Sequence, residues 1–422
     1  MKTDGKILSP DAACYRLLER VYGDEAYGSI ELNRALFDVA PKDRAFVTGL
    51  FYGVLEKDVT LDYLLKQAAD KNPKRPVRIV LKMGLYLLRY SEVPSYAAVD
   101  RMVALTQEIG KRELKGFVNA VLRRADTLAL PDPQSDKTLY LSVRYSLPRW
   151  LVCRLLAEKG EAFIRAYYGE RRETRPHVRV NRLKTGEADF YSRLTAYDKT
   201  ETGCYADYAA LKQLDQSWYA VQSLASTLTA RFYAHGLAAG DRALDLCAAP
   251  GGKAVYLYEL TGADITACDI HPHRIELIRS YAARMGARLD IRLNDAAVYR
   301  PELADRFKAV LCDVPCSGLG VASKKPDIYL KRTEADIAAL AELQYKILTN
   351  AARYVTINGQ LDYSTCTILA EENEAVAVRF LAEHPHFRIL PIKGTDEDGY
   401  LRLYPHTAGT DGFFAVKFVR LK

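Results

Sequence analysis

The sequence predicts a multidomain chain with an all-helical N-terminal domain, a small α+β middle subdomain and a C-terminal doubly wound α/β domain. At 422 residues, the chain is longer than one typical domain. Apolar residues recur at helical spacing up to about residue 128, and short apolar strands alternate with helices from about residue 221. The segment 130–137, LPDPQSDK, combines two prolines with polar residues and indicates a boundary. We therefore expect domains at 1-130, 138-220 and 221-422.

The N-terminal domain is predicted to be a helical bundle with a basic surface. Its helices are expected at 11–22, 43–55, 61–66, 76–90 and 96–122, the last with a break near Gly110. Between Lys71 and Arg124 there are twelve basic and four acidic residues, whereas the whole chain has a net charge of +7. A local excess of this kind is typical of a surface that binds a polyanion such as RNA, although mixed charges on helices are also common on a solvated face.

The middle subdomain and the C-terminal domain are predicted from their strand patterns. A helix over 149–168 is followed by PHVRVNRLK, 176–184, which alternates apolar and basic side chains like a strand with one exposed cationic face. The C-terminal strands, which alternate with helices, are expected at 243–247, 264–269, 287–293, 308–313, 359–364 and 413–419.

Composition excludes several classes of protein. Apolar residues make up 49% of the chain and charged residues 27%, a mixture typical of globular domains. No apolar run reaches the length of a membrane span, and the first ten residues lack the apolar stretch of a secretory signal. The eight cysteines form no CxxC pair, which disfavours a disulfide framework or a structural zinc. We expect a cytoplasmic protein, a monomer with no metal and no membrane partner.

Residues at the ends of the C-terminal strands predict a cofactor pocket, because ligands of such sheets bind beyond the carboxyl ends of the strands. Asp269, Asp295 and Asp313 follow three successive strands, and a glycine turn that can open a helix follows the first strand. The turn is neither GxGxxG nor a phosphate-binding loop, which favours a ligand with ribose and adenine but no pyrophosphate, S-adenosylmethionine. Its residues are Cys247, Ala248, Ala249, Pro250, Gly251, Gly252 and Lys253.

Two cysteines follow the next two strands. Cys316 lies in DVPCSG directly after the fourth strand, and Cys366 lies in YSTCT directly after the fifth. A lone cysteine is usually a small buried hydrophobe, but two at the rim of one pocket favour a nucleophilic role. A thiolate can add to a pyrimidine ring, and a cation such as Lys253 can lower its pKa. The residues alone do not decide which cysteine is the nucleophile.

The motifs CAAPGGK, DVPCSG and YSTCT, in this order, resemble those of the Fmu/Sun family of RNA cytosine-C5 methyltransferases. The segments DRAFVTGLFYGVLEK and GFVNAVLRR resemble the NusB-like RNA-binding domain of the branch that acts on bacterial small-subunit ribosomal RNA, and LYPHTAGTDGFFAVKF resembles the family's last strands. The resemblance implies a NusB-like helical domain and a Rossmann-like class I methyltransferase domain. It implies methylation of carbon 5 of a cytosine that is single-stranded or flipped out of a helix.

The resemblance also assigns roles to residues. Cys366 matches the nucleophile, and Cys316 the cysteine that assists release of the methylated product. Residues Cys247 to Lys253 would bind S-adenosylmethionine, Asp269 its ribose and Asp295 its adenine. Asp313 would contact the cofactor and the cytosine. The RNA backbone would be held by the stretch from Lys71 to Arg124 together with Arg171, Arg172, Arg175, Arg179, Arg182 and Lys184.

Two departures from the family pattern and two rival functions stay open. Asp362 occupies a strand position that is usually apolar, where an unpaired buried carboxylate would cost several kcal/mol. Ser223 and Leu224 replace an acidic pair, which puts in doubt a helix cap or RNA contact made by that pair. The rivals are a non-catalytic RNA-binding or assembly factor, against which the intact loop and both cysteines argue, and a transfer RNA cytosine-C5 methyltransferase.

Overall fold

The computed structural model describes residues 8–23, 28–125, 127–170 and 173–422, without the side chains of residues 29, 30 and 33. The chain divides into two compact units. The first comprises Met1–Gly169 and Ala322–Arg332, and the second comprises Glu170–Val321 and Thr333–Lys422.

The first unit is helical, as predicted. Its apolar positions at spacings of three and four, such as Val77, Val80, Leu81 and Leu85, are buried in one core. The break predicted near Gly110 is confirmed, because residues 109–114 separate two helices there. Helices α2 and α8 were not predicted. The helices are α1 Pro10–Gly23, α2 Gly28–Ala35, α3 Arg44–Glu56, α4 Asp58–Ala68, α5 Arg75–Tyr90, α6 Ser95–Glu108, α7 Lys115–Ala125, α8 Lys137–Tyr145 and α9 Arg149–Gly169, the last interrupted at Gly160.

The boundary predicted at 130–137 does not separate the two units. Residues 138–169, which the sequence predicts to be part of the middle subdomain, form α8 and α9 and lie in the first unit. The hydroxyl of Thr60 in α4 donates to the carbonyl of Val143 at 2.6 Å, and the amide of Val59 donates to the hydroxyl of Ser146 at 3.1 Å. These bonds join segments more than 80 residues apart, so local sequence carries no sign of them.

A small antiparallel sheet opens the second unit. Within the described residues its strand order is β2-β3-β1-β4. All four residues of β1 are buried, so the exposed cationic face predicted for this strand is wrong. The strand lies between β3 and β4, and its Arg179 pairs with Glu259, both about 1% exposed. The elements are β1 His177–Val180, α10 Glu187–Ser192, β2 Tyr197–Lys199, β3 Cys204–Ala206, α11 Tyr208–Leu211 and β4 Tyr219–Val221.

The rest of the second unit is the predicted α/β domain. Its described strands form a mixed sheet with the order β10-β12-β9-β8-β5-β6-β7, and β11 also pairs with β12. Strands β5 to β9 are parallel, whereas β12 is antiparallel to β9. The strands are β5 Arg242–Asp245, β6 Asp264–Asp269, β7 Asp290–Leu293, β8 Phe307–Asp313, β9 Val355–Thr365, β10 Phe387–Ile389, β11 Tyr400–Leu403 and β12 Phe413–Arg420.

Helices cover both faces of this sheet, as its apolar strands require. One face packs on Leu348 and Phe380, and the other packs on Tyr233 and Leu257. After β5 the chain adds β6 and β7 on one side of β5, and it then crosses to add β8 on the other side. The topological switch point therefore lies between β5 and β8. The helices of this domain are α12 Leu224–Ala234, α13 Gly252–Thr261, α14 Pro272–Met285, α16 Glu334–Ala352, α17 Glu374–Glu383 and α18 Pro405–Ala408, whereas α15 Ile328–Lys331 belongs to the first unit.

Both departures from the family pattern have structural partners. Asp362 in β9 lies directly opposite Lys417 in β12, and the two fully buried side chains form an ion pair at 2.7 Å. Ser223 caps α12, because its hydroxyl accepts a hydrogen bond from the amide of Ser226 at 3.3 Å. Among the helices of the described residues, none is long and apolar enough to cross a membrane.

Candidate active site

The glycine turn between β5 and α13 lies at the switch point. Gly251 has a φ of +106°, a left-handed conformation that favours glycine, and a Cβ there would lie 3.4 Å from the Cα of Ile278. The amide of Ala248 donates to the carbonyl of Cys268 at 2.8 Å, which ties the turn to the neighbouring strand β6. Helix α13 begins at Gly252, so its positive end lies at the carboxyl edge of the sheet.

Two of the predicted acids lie farther along this edge. Asp269 is the last residue of β6, is 5% exposed, and accepts a hydrogen bond from the amide of His271 at 3.0 Å. Asp295 follows β7, is half-buried, and accepts from the amide of Ala297 at 2.9 Å. Since β5, β6 and β7 are adjacent and parallel, the turn and both carboxylates occupy successive strand ends.

Asp313, the third predicted acid, connects the turn to the cysteine loops. The ammonium of Lys253 contacts Asp313 Oδ2 at 2.6 Å, and the hydroxyl of Ser364 donates to Asp313 Oδ1 at 2.8 Å. The hydroxyl of Tyr233 bonds in turn to that of Ser364. Burial lowers the pKa of Lys253, but the charge and hydrogen bond of Asp313, together with the charges of Cys366 and Asp245, raise it, and the net pKa lies above its usual value. Lys253 is therefore a cation at neutral pH.

Asp245, at the end of β5, was not predicted. Its carboxylate is 2% exposed and accepts from the amide of Cys247 at 3.2 Å. Burial, followed by the negative charge of Asp313, raises its pKa to about 7. An acid within the otherwise apolar strand ALDLC is the sequence signal that could have identified it, because a charge at such a position needs a reason.

The structure brings the two predicted cysteines into contact. Strands β8 and β9 are parallel neighbours with Asp313 opposite Ser364, so the loops that follow them meet. The Sγ atoms of Cys316 and Cys366 lie 3.1 Å apart, and the amide of Cys366 donates to the Sγ of Cys316 at 3.2 Å. The hydrogen bond to Cys366, followed by burial, raises the pKa of Cys316 well above its usual value. Once one of the two thiol protons has passed to solvent, the remaining proton can stay on one sulfur and leave the other as a thiolate.

The loops fit closely, and Gly320 shows how closely. Its amide donates to the carbonyl of Cys366 at 2.9 Å, and its own carbonyl accepts from the amide of Gly412 at 2.9 Å. A Cβ at position 320 would lie 2.1 Å from the carbonyl oxygen of Gly412. Only glycine fits there, and the position of the Cys366 backbone depends on it.

The other predicted binding residues differ in accessibility. Cys247 in the turn has a pKa raised well above its usual value, mainly by burial, so it is not a reactive thiol. Lys82 is 3% exposed and pairs with Asp58 at 2.5 Å. The prediction that Lys82 and Arg179 face solvent and contact RNA is therefore wrong, because both are buried. Of the predicted RNA contacts, the exposed ones in the second unit are Arg182 and Lys184. Arg171 and Arg172 lie outside the described residues.

Comparisons with known families match both parts of the chain. A model of the family described as 16S rRNA methyltransferase RsmB/F matches residues 234–419, and a model of the NusB family matches residues 13–127. The first match spans the glycine turn, the three predicted acids and both cysteines.

Whole-length relatives show the same likeness. The chain is 31% identical over 425 residues to the probable ribosomal RNA small subunit methyltransferase B of Bacillus subtilis (strain 168), covering 93% of this chain and 94% of that protein. It is 31% identical over 405 residues to the ribosomal RNA small subunit methyltransferase B of Sodalis glossinidius (strain morsitans), covering 90% and 91%.

Solved structures share the fold. The crystal structure of PH0851 covers 98% of this chain and 100% of its own, with a TM-score of 0.80 at 24% identity. A methyltransferase homolog protein from Pyrococcus horikoshii covers 68% of this chain and 100% of its own, with a TM-score of 0.59 at 25% identity.

Proposed function

From the premise that the chain belongs to the family of ribosomal RNA small subunit methyltransferase B, we propose that it methylates carbon 5 of a cytosine in small-subunit ribosomal RNA through a covalent cysteine intermediate. The methyl donor is S-adenosylmethionine. The observation that carries the proposal is the contact between Cys316 and Cys366 at 3.1 Å, at the strand ends that also hold the Lys253–Asp313 pair. A thiol at this position can supply the soft nucleophile that adds to a pyrimidine ring.

The residues of the edge suit S-adenosylmethionine. The left-handed Gly251 lets the backbone turn sharply, so the amides that begin α13 are directed along the carboxyl edge of the sheet. Asp269, already fixed by the amide of His271, offers carboxylate oxygen to the ribose hydroxyls, and Asp295 would lie by the adenine. When bound, the cofactor would supply an electrophilic methyl group on a sulfonium, whose sulfur would leave as a neutral thioether.

In the proposed reaction the sulfur of Cys366 forms a bond to carbon 6 of the cytosine, and the C5–C6 double bond opens. Carbon 5 is then enamine-like and able to accept the methyl group. Asp313 is held on one oxygen by Lys253 and on the other by Ser364, which fixes its carboxylate to accept a hydrogen bond from the cytosine amino group. Loss of the carbon 5 proton to a base then restores the double bond and expels Cys366, a step that Cys316 assists.

The exposed cations would hold the RNA backbone by neutralising phosphates. In the second unit these are Arg182 and Lys184. In the NusB-like unit they include Lys71, Lys74, Arg112 and Arg123, all exposed. Lys82 and Arg179 are excluded from this role because both are buried.

The reaction class is tested with ribosomal RNA that lacks the modification. Incubation with methyl-labelled S-adenosylmethionine should place the label in 5-methylcytosine. Label in adenosine, uridine or protein would contradict the reaction class, and transfer to transfer RNA in preference to ribosomal RNA would favour the rival substrate. Titration of S-adenosylmethionine by calorimetry tests the non-catalytic alternative, which requires no binding.

The roles of the two cysteines are tested by trapping the adduct. Cys366→Ala should abolish turnover and form no covalent complex with RNA, because the first bond cannot form. Cys316→Ala should complete methyl transfer and then stall as a protein–RNA adduct that survives denaturing electrophoresis. An adduct in Cys366→Ala and none in Cys316→Ala would reverse the assignment.

A further inference from the structure

Glu372 is a fully buried carboxylate behind the cysteine loops, in the turn between β9 and α17. It accepts hydrogen bonds from the amide of Ser317 at 2.8 Å, the hydroxyl of Ser317 at 2.6 Å and the side-chain amide of Gln344 at 3.0 Å. Three donors directed at one carboxyl group match the ionised form, which only accepts hydrogen bonds. Glu372 thus places a negative charge inside the protein.

These bonds hold the loop of Cys316 from both sides. Ser317 follows Cys316, and the amide of Gln344 that reaches Glu372 also donates to the carbonyl of Pro315 at 2.9 Å. The hydroxyl of Ser317 bonds to that of Thr367, next to Cys366, at 2.7 Å. The carboxylate therefore fixes the Cys316 loop and, through Ser317, ties it to the Cys366 loop.

The charges around the thiol pair are asymmetric. The pKa of Cys316 is raised by its hydrogen bond to Cys366, by burial and by the charges of Cys366 and Glu372. Cys366, by contrast, interacts electrostatically with Lys253, which is a cation. The two thiols are 3.1 Å apart and either can donate to the other, so the surrounding charge decides where their shared proton lies.

We propose that Glu372 is a positioning residue that retains this proton on Cys316 and so leaves Cys366 as the thiolate. The S–H of Cys316 then donates to the sulfur of Cys366, while its own sulfur accepts the amide of Cys366. The pair has two thiol protons when neutral; one passes to solvent, the other stays on Cys316, and Cys366 is then ready to add to a ring. The assignment of the attack to Cys366 rests on the proposed function, but the position of the proton can be measured without RNA or methyl donor.

The test measures how fast iodoacetamide alkylates each cysteine, by peptide mass spectrometry of the full-length protein under a phosphine reductant. In the unaltered protein Cys366 should react at least about tenfold faster than Cys316. Glu372→Gln keeps the size of the side chain but removes its charge, so Cys316 should react about tenfold faster than before. The matched control, Glu371→Gln, removes a charge one residue away and should leave both rates unchanged.

Two results would overturn the proposal. One is a folded Glu372→Gln protein, with unchanged S-adenosylmethionine affinity, in which Cys316 reacts at its original rate. The other is faster alkylation of Cys316 than of Cys366 in the unaltered protein, a measurement that stands even where Glu372→Gln fails to fold. Neither result bears on whether 5-methylcytosine forms, so the two proposals fail separately. In turnover assays, Glu372→Gln should lower kcat about tenfold and leave the KM for S-adenosylmethionine unchanged.

Discussion

The ion pair between Asp362 and Lys417 provides a stringent test of the energetics of the α/β domain. Both side chains are fully buried, on neighbouring antiparallel strands, with Lys417 Nζ 2.7 Å from Asp362 Oδ1. The ammonium also lies 5.3 Å from the ring centre of Phe232. Within the described part of the chain neither charged group makes a further hydrogen bond. The attraction between the two charges is therefore the main interaction that offsets the free-energy cost of removing both from water.

Removing one partner should be costly, and removing both should not. Lys417→Met leaves an uncompensated buried carboxylate, a change that typically costs about 3–5 kcal/mol. Burial already raises the pKa of Asp362 from its usual 3.8 to about 6, even with the opposing charge of Lys417 present. That difference corresponds to about 3 kcal/mol against the ionised form. The double variant Asp362→Leu with Lys417→Met should match the unaltered protein or exceed its stability by about 1–4 kcal/mol.

The pH dependence has a defined sign. Because the folded pKa of Asp362 is raised, its contribution to stability is fully present below pH 3.8 and is lost as the pH rises through about 6. In Lys417→Met the carboxyl group can take up a proton, so the stability deficit of this variant should shrink as the pH falls from 8 to 5. The double variant has no such carboxyl group and should show no corresponding change.

Hydrogen exchange of the backbone amides of β9 and β12 is the suitable assay, because it reports local opening free energies in a chain of two units, for which one unfolding free energy is not defined. The reasoning would be refuted if Lys417→Met were as stable as the double variant, or if its deficit did not change between pH 5 and 8.

Three further predictions concern the candidate site. Asp269→Ala should weaken S-adenosylmethionine binding about tenfold to a hundredfold in calorimetry, because a hydrogen bond to a charged acceptor contributes about 1.5–3 kcal/mol; unchanged affinity would remove Asp269 from the site. Gly320→Ala should lower methyl transfer at least about tenfold and leave the cofactor affinity unchanged, because the added Cβ would lie 2.1 Å from the carbonyl oxygen of Gly412. The control Gly49→Ala should be fully active, because no atom lies within 4 Å of its added Cβ. Asp245→Asn should gain stability relative to the unaltered protein as the pH rises from about 4 to 7, because the raised pKa of the acid, about 7, penalises its ionised form in the folded state. Hydrogen exchange of the β5 backbone amides in both proteins across this range measures the difference, and parallel curves would contradict it.

The sequence alone determines the elements and the chemistry at their ends. Periodicity identified most helices of the first unit, though not α2 or α8, and the alternation of strands and helices in the second, because both depend on neighbours a few residues apart. Asp313 and Cys366 were identifiable for a related reason. A residue that directly follows a buried strand of a parallel sheet must lie at the carboxyl edge, whatever the rest of the chain does.

Only the tertiary structure decided which side chains meet. The segment 176–184 has the alternation predicted for a half-exposed strand, yet Arg179 is buried because Glu259, 80 residues later, lies against it. Asp362 is tolerated because Lys417 stands opposite it in a strand that arrives 55 residues later. Nothing in the sequence predicts the contact between Glu372 and Ser317. The order of the strands predicts that the two cysteines lie at one edge of the sheet, but not that their sulfur atoms lie 3.1 Å apart. The energy of a buried charge depends on its nearest partner in space, and folding brings that partner from a distant segment that local pattern does not encode.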